Sequence, residues 1–175
     1  MIYISGPSTI GKNPLISLLC NKYDYNYFVP WSSRKMRKDE NGITDYHFVS
    51  KEQFQEMIRN EFIDEWDYAL SNYYGFSKID PSSPKTISHS LSRITIRIKK
   101  RNPQIKTIFL MPQNKDKIIN ILKNIYTGDD LTLRLGLVEE EILHSKLFDY
   151  VFTIQEKATE LIDNKDFLEL LNLNK

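Results

Sequence analysis

A chain of 175 residues fits one compact domain with room for a small inserted subdomain. Hydrophobic residues at 41% supply a core and charged residues at 27% a solvated surface, while a net charge of +1 gives no basis for nucleic-acid binding. The single cysteine, Cys20, excludes an intrachain disulfide, and its apolar neighbours point to a buried thiol.

Residues 1–5 read as a short apolar strand closed by Gly6 and Pro7. That run is too short for a signal peptide or a membrane span, so a reducing, cytoplasmic setting is the default. A glycine-punctuated loop follows, then a helix over residues 14–22, with Asn13 as its N-cap and Pro14 at its first position. Residues 25–30 form a second strand. From 31 to about 80 the texture shifts to Tyr, Trp and charged residues, with strands at 45–49 and 73–76 around a helix at 51–59. This stretch is read as an inserted substrate-binding subdomain between core segments 1–30 and 81–175. The core resumes with a strand at 84–89, a helix at 92–101 and a strand at 106–111. A helix at 116–123, a turn at 126–130, a helix at 131–145, a strand at 148–153 and an amphipathic helix over about 157–171 complete the chain. Strands alternating with helices predict an α/β fold, a mostly parallel sheet flanked by helices.

Gly6, Pro7, Ser8, Thr9, Ile10, Gly11 and Lys12 satisfy the spacing G-x-x-x-x-G-K between a strand and a helix. Such a loop curls backbone N–H groups around phosphate oxygens, and its lysine adds a point charge. The next position ordinarily carries a Ser or Thr hydroxyl for Mg²⁺. Here it is Asn13, whose amide oxygen is the one candidate metal ligand of the loop, and Pro14 after it has no N–H to offer. The loop is expected to hold phosphate but to bind Mg–ATP poorly.

The segment SSRKMRKDENGITDYHFVS at 32–50 resembles the signature of guanylate kinases, with a Ser-Arg-x-x-Arg stretch, a glutamate, an Asn-Gly turn and Asp-Tyr-x-Phe-Val-Ser. Glu65-Trp66 and Asn72-Tyr73-Tyr74-Gly75 continue the likeness, as do IFLMP at 108–112 and Arg134-Leu135 with Glu141-Ile142. The resemblance spans nearly the whole chain and implies a P-loop NTPase fold, a GMP-binding insert and a short lid over about 113–133. It implies that Lys12 and Arg134 are the catalytic cations, and that Arg34, Arg37, Glu40, Tyr46, Glu65 and Tyr74 bind GMP. Two arginines three apart can converge on one phosphate dianion, and an ionised Glu65 can accept from the N1–H and 2-amino group of guanine.

Several positions depart from that pattern. Phe76 stands where a base-reading hydroxyl is usual, and Asp64-Glu65 carries one extra residue, with Glu65 the preferred register. The aspartate expected at a strand end near Ser90 or Leu91 is missing, and no Asp or Glu occurs from 81 to 115. The lid holds no arginine from 116 to 133. The run Lys99-Lys100-Arg101 is read as a solvated helix end, His47, His89 and His144 as structural or exposed, and Glu139–Glu141 as showing no chemistry beyond fold and surface. Two functions follow. One is a weak ATP-dependent kinase for GMP or dGMP, with Mg²⁺ as the implied cofactor and no nucleic acid or membrane partner. The other is a degenerate module that binds a nucleotide or a phosphorylated protein through the same clamp.

Overall fold

Nine strands and six α-helices occur among the described residues of the computed structural model, which are 1–37, 40 and 45–173. In chain order they are β1 (Ile2–Ser5), α1 (Lys12–Tyr23), β2 (Asn26–Tyr27), β3 (Trp31–Ser32), β4 (His47–Phe48) and α2 (Lys51–Arg59). Then come β5 (Ile63–Ala69), β6 (Asn72–Ser77), β7 (Thr86–His89), α3 (Ser92–Arg101) and β8 (Lys106–Pro112). The chain closes with α4 (Lys115–Ile125), α5 (Gly128–His144), β9 (Tyr150–Ile154) and α6 (Lys165–Leu170). The Asn41-Gly42 turn of the signature lies outside the described residues.

Five strands pair in the order β2-β7-β1-β8-β9, every neighbouring pair parallel. Parallel strands covered on both faces read as apolar runs rather than alternating ones, which is why β1 and most of β8 are buried throughout. Leu15, Ile16 and Leu19 of α1 pack onto this sheet beside Ile4, Ile87, Ile108 and Leu110. Full burial of such a side chain stabilises by about 1.5–3 kcal/mol.

The insert builds a second sheet, β4-β3-β6-β5, whose longest pairing is the antiparallel β5–β6 hairpin. The pairing register shifts between Ile63 and Glu65, so the extra residue at Asp64-Glu65 is absorbed as a bulge. A Cβ on Gly75 would lie 2.7 Å from the Glu65 carbonyl oxygen and 3.0 Å from Phe54, so α2 seats on the hairpin only with glycine there. Tyr3 of β1 meets Phe76 edge-on at 5.3 Å, and Phe28 stacks on the same ring at 5.5 Å. With Ala69, Tyr74, Ile94 and Ile98 these rings form a separate apolar cluster joining insert to core.

Four expectations change. Strand β5 occupies 63–69, which carried no strand in the sequence reading, because its alternation is blurred by Asp64, Glu65 and Asp67. Helix α1 begins at Lys12 behind Gly11, whose φ of 97° is left-handed, so Asn13 lies inside the helix and is not its cap. Helix α5 begins at Gly128, leaving only Tyr126 and Thr127 between it and α4. The C-terminal helix is broken at Asn164, whose side chain accepts from Phe167 N–H and caps α6 after a 3₁₀ segment at Ala158–Asp163.

Candidate active site

The C-terminal ends of β1 and β7 open into a cleft of about 350 Å³, the usual ligand crevice of a parallel sheet. Three regions supply most of its lining, beside the end of β7. The loop after β1 supplies Gly6, Ser8, Thr9, Gly11, Lys12, Asn13 and Pro14, the insert supplies Arg34, Arg37, Glu40, Tyr46 and Tyr74, and α5 supplies Arg134 and Glu141. Pro7 and Ile10 belong to the same loop but hold it from behind. The Pro7 carbonyl accepts from Ile10 N–H at 3.3 Å, and Ile10 is buried in the core.

Gly6 is indispensable to the loop. A Cβ there would meet the Leu110 carbonyl oxygen at 2.6 Å, and its φ of 147° strains any other residue. Lys12 folds back to donate to the carbonyls of Gly6 and Pro7 at 2.5 and 2.9 Å. Burial pushes its ammonium down to about 8, with Glu141 pulling the other way. Pro14 is the third residue of α1, where a missing N–H costs the helix nothing but also offers nothing to a phosphate.

Arg34 is the best-fixed cation of the cleft. Its guanidinium donates to both oxygens of Glu40 at 2.5 and 2.6 Å and lies over the rings of Tyr46 and Phe48 at 4.9 and 5.0 Å. Glu40 also accepts from the Arg37 backbone N–H at 2.9 Å. Burial alone would raise the Glu40 carboxyl, but these hydrogen bonds hold it below its ordinary value. Glu40 therefore orients Arg34 in this structure. On the opposite wall, Arg134 lies 3.7 Å from the centre of the Tyr126 ring and donates to Asp130, while Arg37 donates to the Tyr126 hydroxyl at 3.2 Å. Tyr126 thus ties the α4–α5 junction to the insert.

Glu65 is not brought into the cleft. Both its oxygens are taken from the far side by α3, at 2.6 Å from Arg97 and 2.6 Å from Arg101. Arg97 and Arg93 extend this ionic cluster to Asp67. Arg101 is therefore a partner of Glu65, and Lys99 donates to Asp149 and two carbonyls, so only Lys100 of that run fits a solvated helix end. Phe76 turns into the core, and Ser77 does not replace it at the cleft.

At the end of β7, hydroxyls stand where a carboxylate was expected. Ser90 and Ser5 both hydrogen bond Thr95, at 2.5 and 2.8 Å. Neither Asp80 nor Asp129 lines the cleft, but Glu141 does. Glu141, read from the sequence as part of fold and surface without chemistry, is 3% exposed in the cleft wall. Its Oε1 accepts from Ser92 N–H at 2.8 Å, its Oε2 is buried without a partner, and burial raises its carboxyl against the opposing pull of Lys12. The available signal was helical spacing, since Glu141 lies seven residues, about two turns, after Arg134. His89, also expected to be structural or exposed, is buried in the cleft wall. His144 donates to or accepts from Ser92 and His47 packs on Trp31, so both are structural.

The described residues form no protein-built metal cage. Among the described residues no three His, Cys, Asp or Glu side chains cluster, and the Asn13 amide donates to Asp45 at 2.7 Å. The orphaned Oε2 of Glu141 does fit a magnesium ion carried mainly by substrate phosphates and water, which needs only one or two protein carboxylates.

The family model described as guanylate kinase matches residues 1–156. A guanylate kinase of Bacillus cereus is 33% identical over 162 residues, covering 86% of this chain and 78% of its own length. That of Vibrio cholerae is 32% identical over 173 residues, covering 93% and 83%. The crystal structure of guanylate kinase from Anaplasma phagocytophilum superposes with a TM-score of 0.69 at 22% identity, over 98% of this chain and 80% of that one.

Proposed function

The chain belongs to the guanylate kinase family, and from that premise we propose that it transfers a phosphoryl group from ATP to GMP or dGMP. The observation that carries this reading is that Lys12, Arg34, Arg37, Tyr46, Tyr74 and Arg134 face a single cleft. Phosphoryl transfer requires no general base in principle; it requires two phosphates held in line and cations where charge spreads. The loop backbone and Lys12 would hold the donor phosphates, Arg34 and Arg37 with Tyr46 and Tyr74 the acceptor phosphate, and Arg134 the group in flight. Magnesium, when bound with ATP, would neutralise phosphate charge, and Glu141 would hold one of its waters. A protein-binding module has no separate observation in its favour, since the donor loop shares the cleft with the clamp. The reading carries a cytoplasmic setting, where both nucleotides are met, and no helix among the described residues is long and apolar enough to cross a membrane.

The test pairs calorimetric titration of GMP and of Mg–ATP with an assay of ADP formed from GMP, dGMP, IMP or AMP. Binding of both nucleotides with GMP-dependent ADP release is the expected result. GMP binding with no ATP binding and no turnover would overturn it. Because Glu65 is locked by Arg97 and Arg101, selectivity is expected to be shallow. The kcat/KM ratio of GMP over AMP should stay below about 100, whereas a site that hydrogen bonds its base reaches about 10⁴ or more. Competition between the two acceptors in one assay measures it directly.

Donor binding should also depend on pH. Lys12 loses its charge above about 8 in the free protein, and a bound polyphosphate raises that value by favouring the ammonium. ATP affinity is therefore flat below about 8 and falls as pH rises through 9 and 10. Titrations at pH 7, 8.5 and 9.5 should show this decline, and Lys12→Met should abolish it.

A further inference from the structure

The backbone of Tyr126 is set by the two helices it joins. Tyr126 caps α4, its N–H donating to the Leu122 carbonyl at 2.8 Å, and Thr127 after it is the N-cap of α5. Leu122 is fully buried, so the junction is anchored in the core while the Tyr126 side chain lines the cleft. The face of the ring carries the Arg134 guanidinium at 3.7 Å, and the hydroxyl lies 3.2 Å from Nη2 of Arg37. A guanidinium has donors and no acceptor, so in that contact the phenol oxygen accepts. The single hydroxyl hydrogen of Tyr126 therefore points elsewhere, and no described residue accepts it.

That hydrogen is available where the cations converge. Arg34, Arg37, Arg134 and Tyr126 all act electrostatically on the Tyr74 phenol, which places the Tyr126 hydroxyl at the acceptor end of the cleft. Of residues 113–133, read from the sequence as the lid, Tyr126 alone lines the cleft. A phosphate dianion offers acceptors only, and it is drawn to a point flanked by two guanidinium groups. A phenol that already accepts from a cation is also a better donor, because each hydrogen bond polarises the next. The two ends of the side chain divide the work. The hydroxyl lies with Arg37 of the acceptor clamp, and the ring face holds the Arg134 cation.

We propose that Tyr126 is a further residue of the acceptor site, its hydroxyl accepting from Arg37 and donating to an oxygen of the bound phosphomonoester. The proposal rests on the acceptor-site reading given above. A bond made to the acceptor phosphate before and during transfer is uniform binding, so its loss raises the acceptor KM and leaves kcat nearly alone. Loss of the ring beneath Arg134 acts on kcat instead. The short junction between α4 and α5 thus places a neutral donor at the cleft where no lid arginine is present.

Tyr126→Phe keeps the ring that carries Arg134 and removes only the hydroxyl. It should raise the GMP KM about tenfold, the worth of one hydrogen bond to a charged group, with kcat within about twofold of wild type. Tyr126→Leu should raise KM equally and lower kcat as well. Tyr126→Phe placed in an Arg37→Ala background separates direct donation from mere steering of Arg37. A further several-fold rise in KM is expected there, and no further rise overturns the proposal. Calorimetric titration of GMP and of inorganic phosphate into wild type and Tyr126→Phe reads the same contact without turnover. Equal affinity of the two proteins for both ligands overturns the proposal and leaves the kinase reading intact. If wild type binds phosphate but not GMP, and Tyr126→Phe weakens phosphate binding, the proposal stands and the guanylate kinase reading falls. If neither ligand binds, both fall.

Discussion

Arg134→Ala is expected to lower kcat by about a thousandfold while leaving the GMP KM within a few-fold of wild type. A single cation on the transferred phosphoryl group is worth about 10³–10⁵ in rate. The size of the loss depends on what else could take over. No arginine occurs from 116 to 133, Lys117 is paired with Glu156, and Lys115 is paired with Glu139. The loss should therefore be uncompensated. Arg134→Lys should recover little, since an ammonium can neither stack on the Tyr126 ring as the guanidinium does at 3.7 Å nor contact two oxygens at once. Tyr126→Leu should fall between wild type and Arg134→Ala, because it removes both the platform and the Arg37 contact. Steady-state kinetics at saturating ATP and GMP check the series. A fall of less than tenfold for Arg134→Ala would remove Arg134 from the transfer step.

The donor loop was legible because its chemistry is local: seven consecutive residues between a strand and a helix dictate one conformation. Arg34 and Arg37 were legible as a pair for the same reason, three residues apart on one segment. What sequence could not give was direction. Glu65 has the right neighbours along the chain, yet the α3 arginines decide where its carboxylate points, and they lie 32 and 36 residues away. Likewise, Phe76 was visible as a departure, but only packing against Tyr3 and Phe28 shows that the position became core. Glu141 and His89 were missed from opposite sides. One sat in a run of three glutamates that showed no chemistry beyond fold and surface, and the other had no ligand-like spacing. Both matter through partners distant in sequence, Ser92 for the first and Tyr27 and Tyr46 for the second.

Arg34→Ala should cost the protein both its acceptor and much of its stability, and the two losses can be separated. Arg34 and Glu40 side chains are only 12% and 7% exposed and share two hydrogen bonds. Deleting the arginine leaves Glu40 a backbone N–H and a more distant Arg37 guanidinium at 3.7 Å. Breaking a buried pair from one side costs about 3–5 kcal/mol, because the remaining charge keeps its desolvation penalty. Removing both partners avoids that penalty, so Arg34→Ala with Glu40→Ala should regain most of the stability. Neither variant should regain the acceptor, and GMP affinity should stay about 100-fold or more below wild type, the loss expected from a buried bidentate contact to phosphate. The sign with pH follows from Glu40, whose carboxyl is held below its ordinary value in the folded protein. Its contribution is complete above the ordinary carboxylate range and disappears as pH falls through the depressed value. The stability gap between wild type and Arg34→Ala should accordingly be widest near neutrality and close in acid. Urea unfolding at pH 7 and pH 3 with GMP titration of the three proteins distinguishes the roles. If the double variant regains both stability and GMP binding, Arg34 serves Glu40 and not the phosphate.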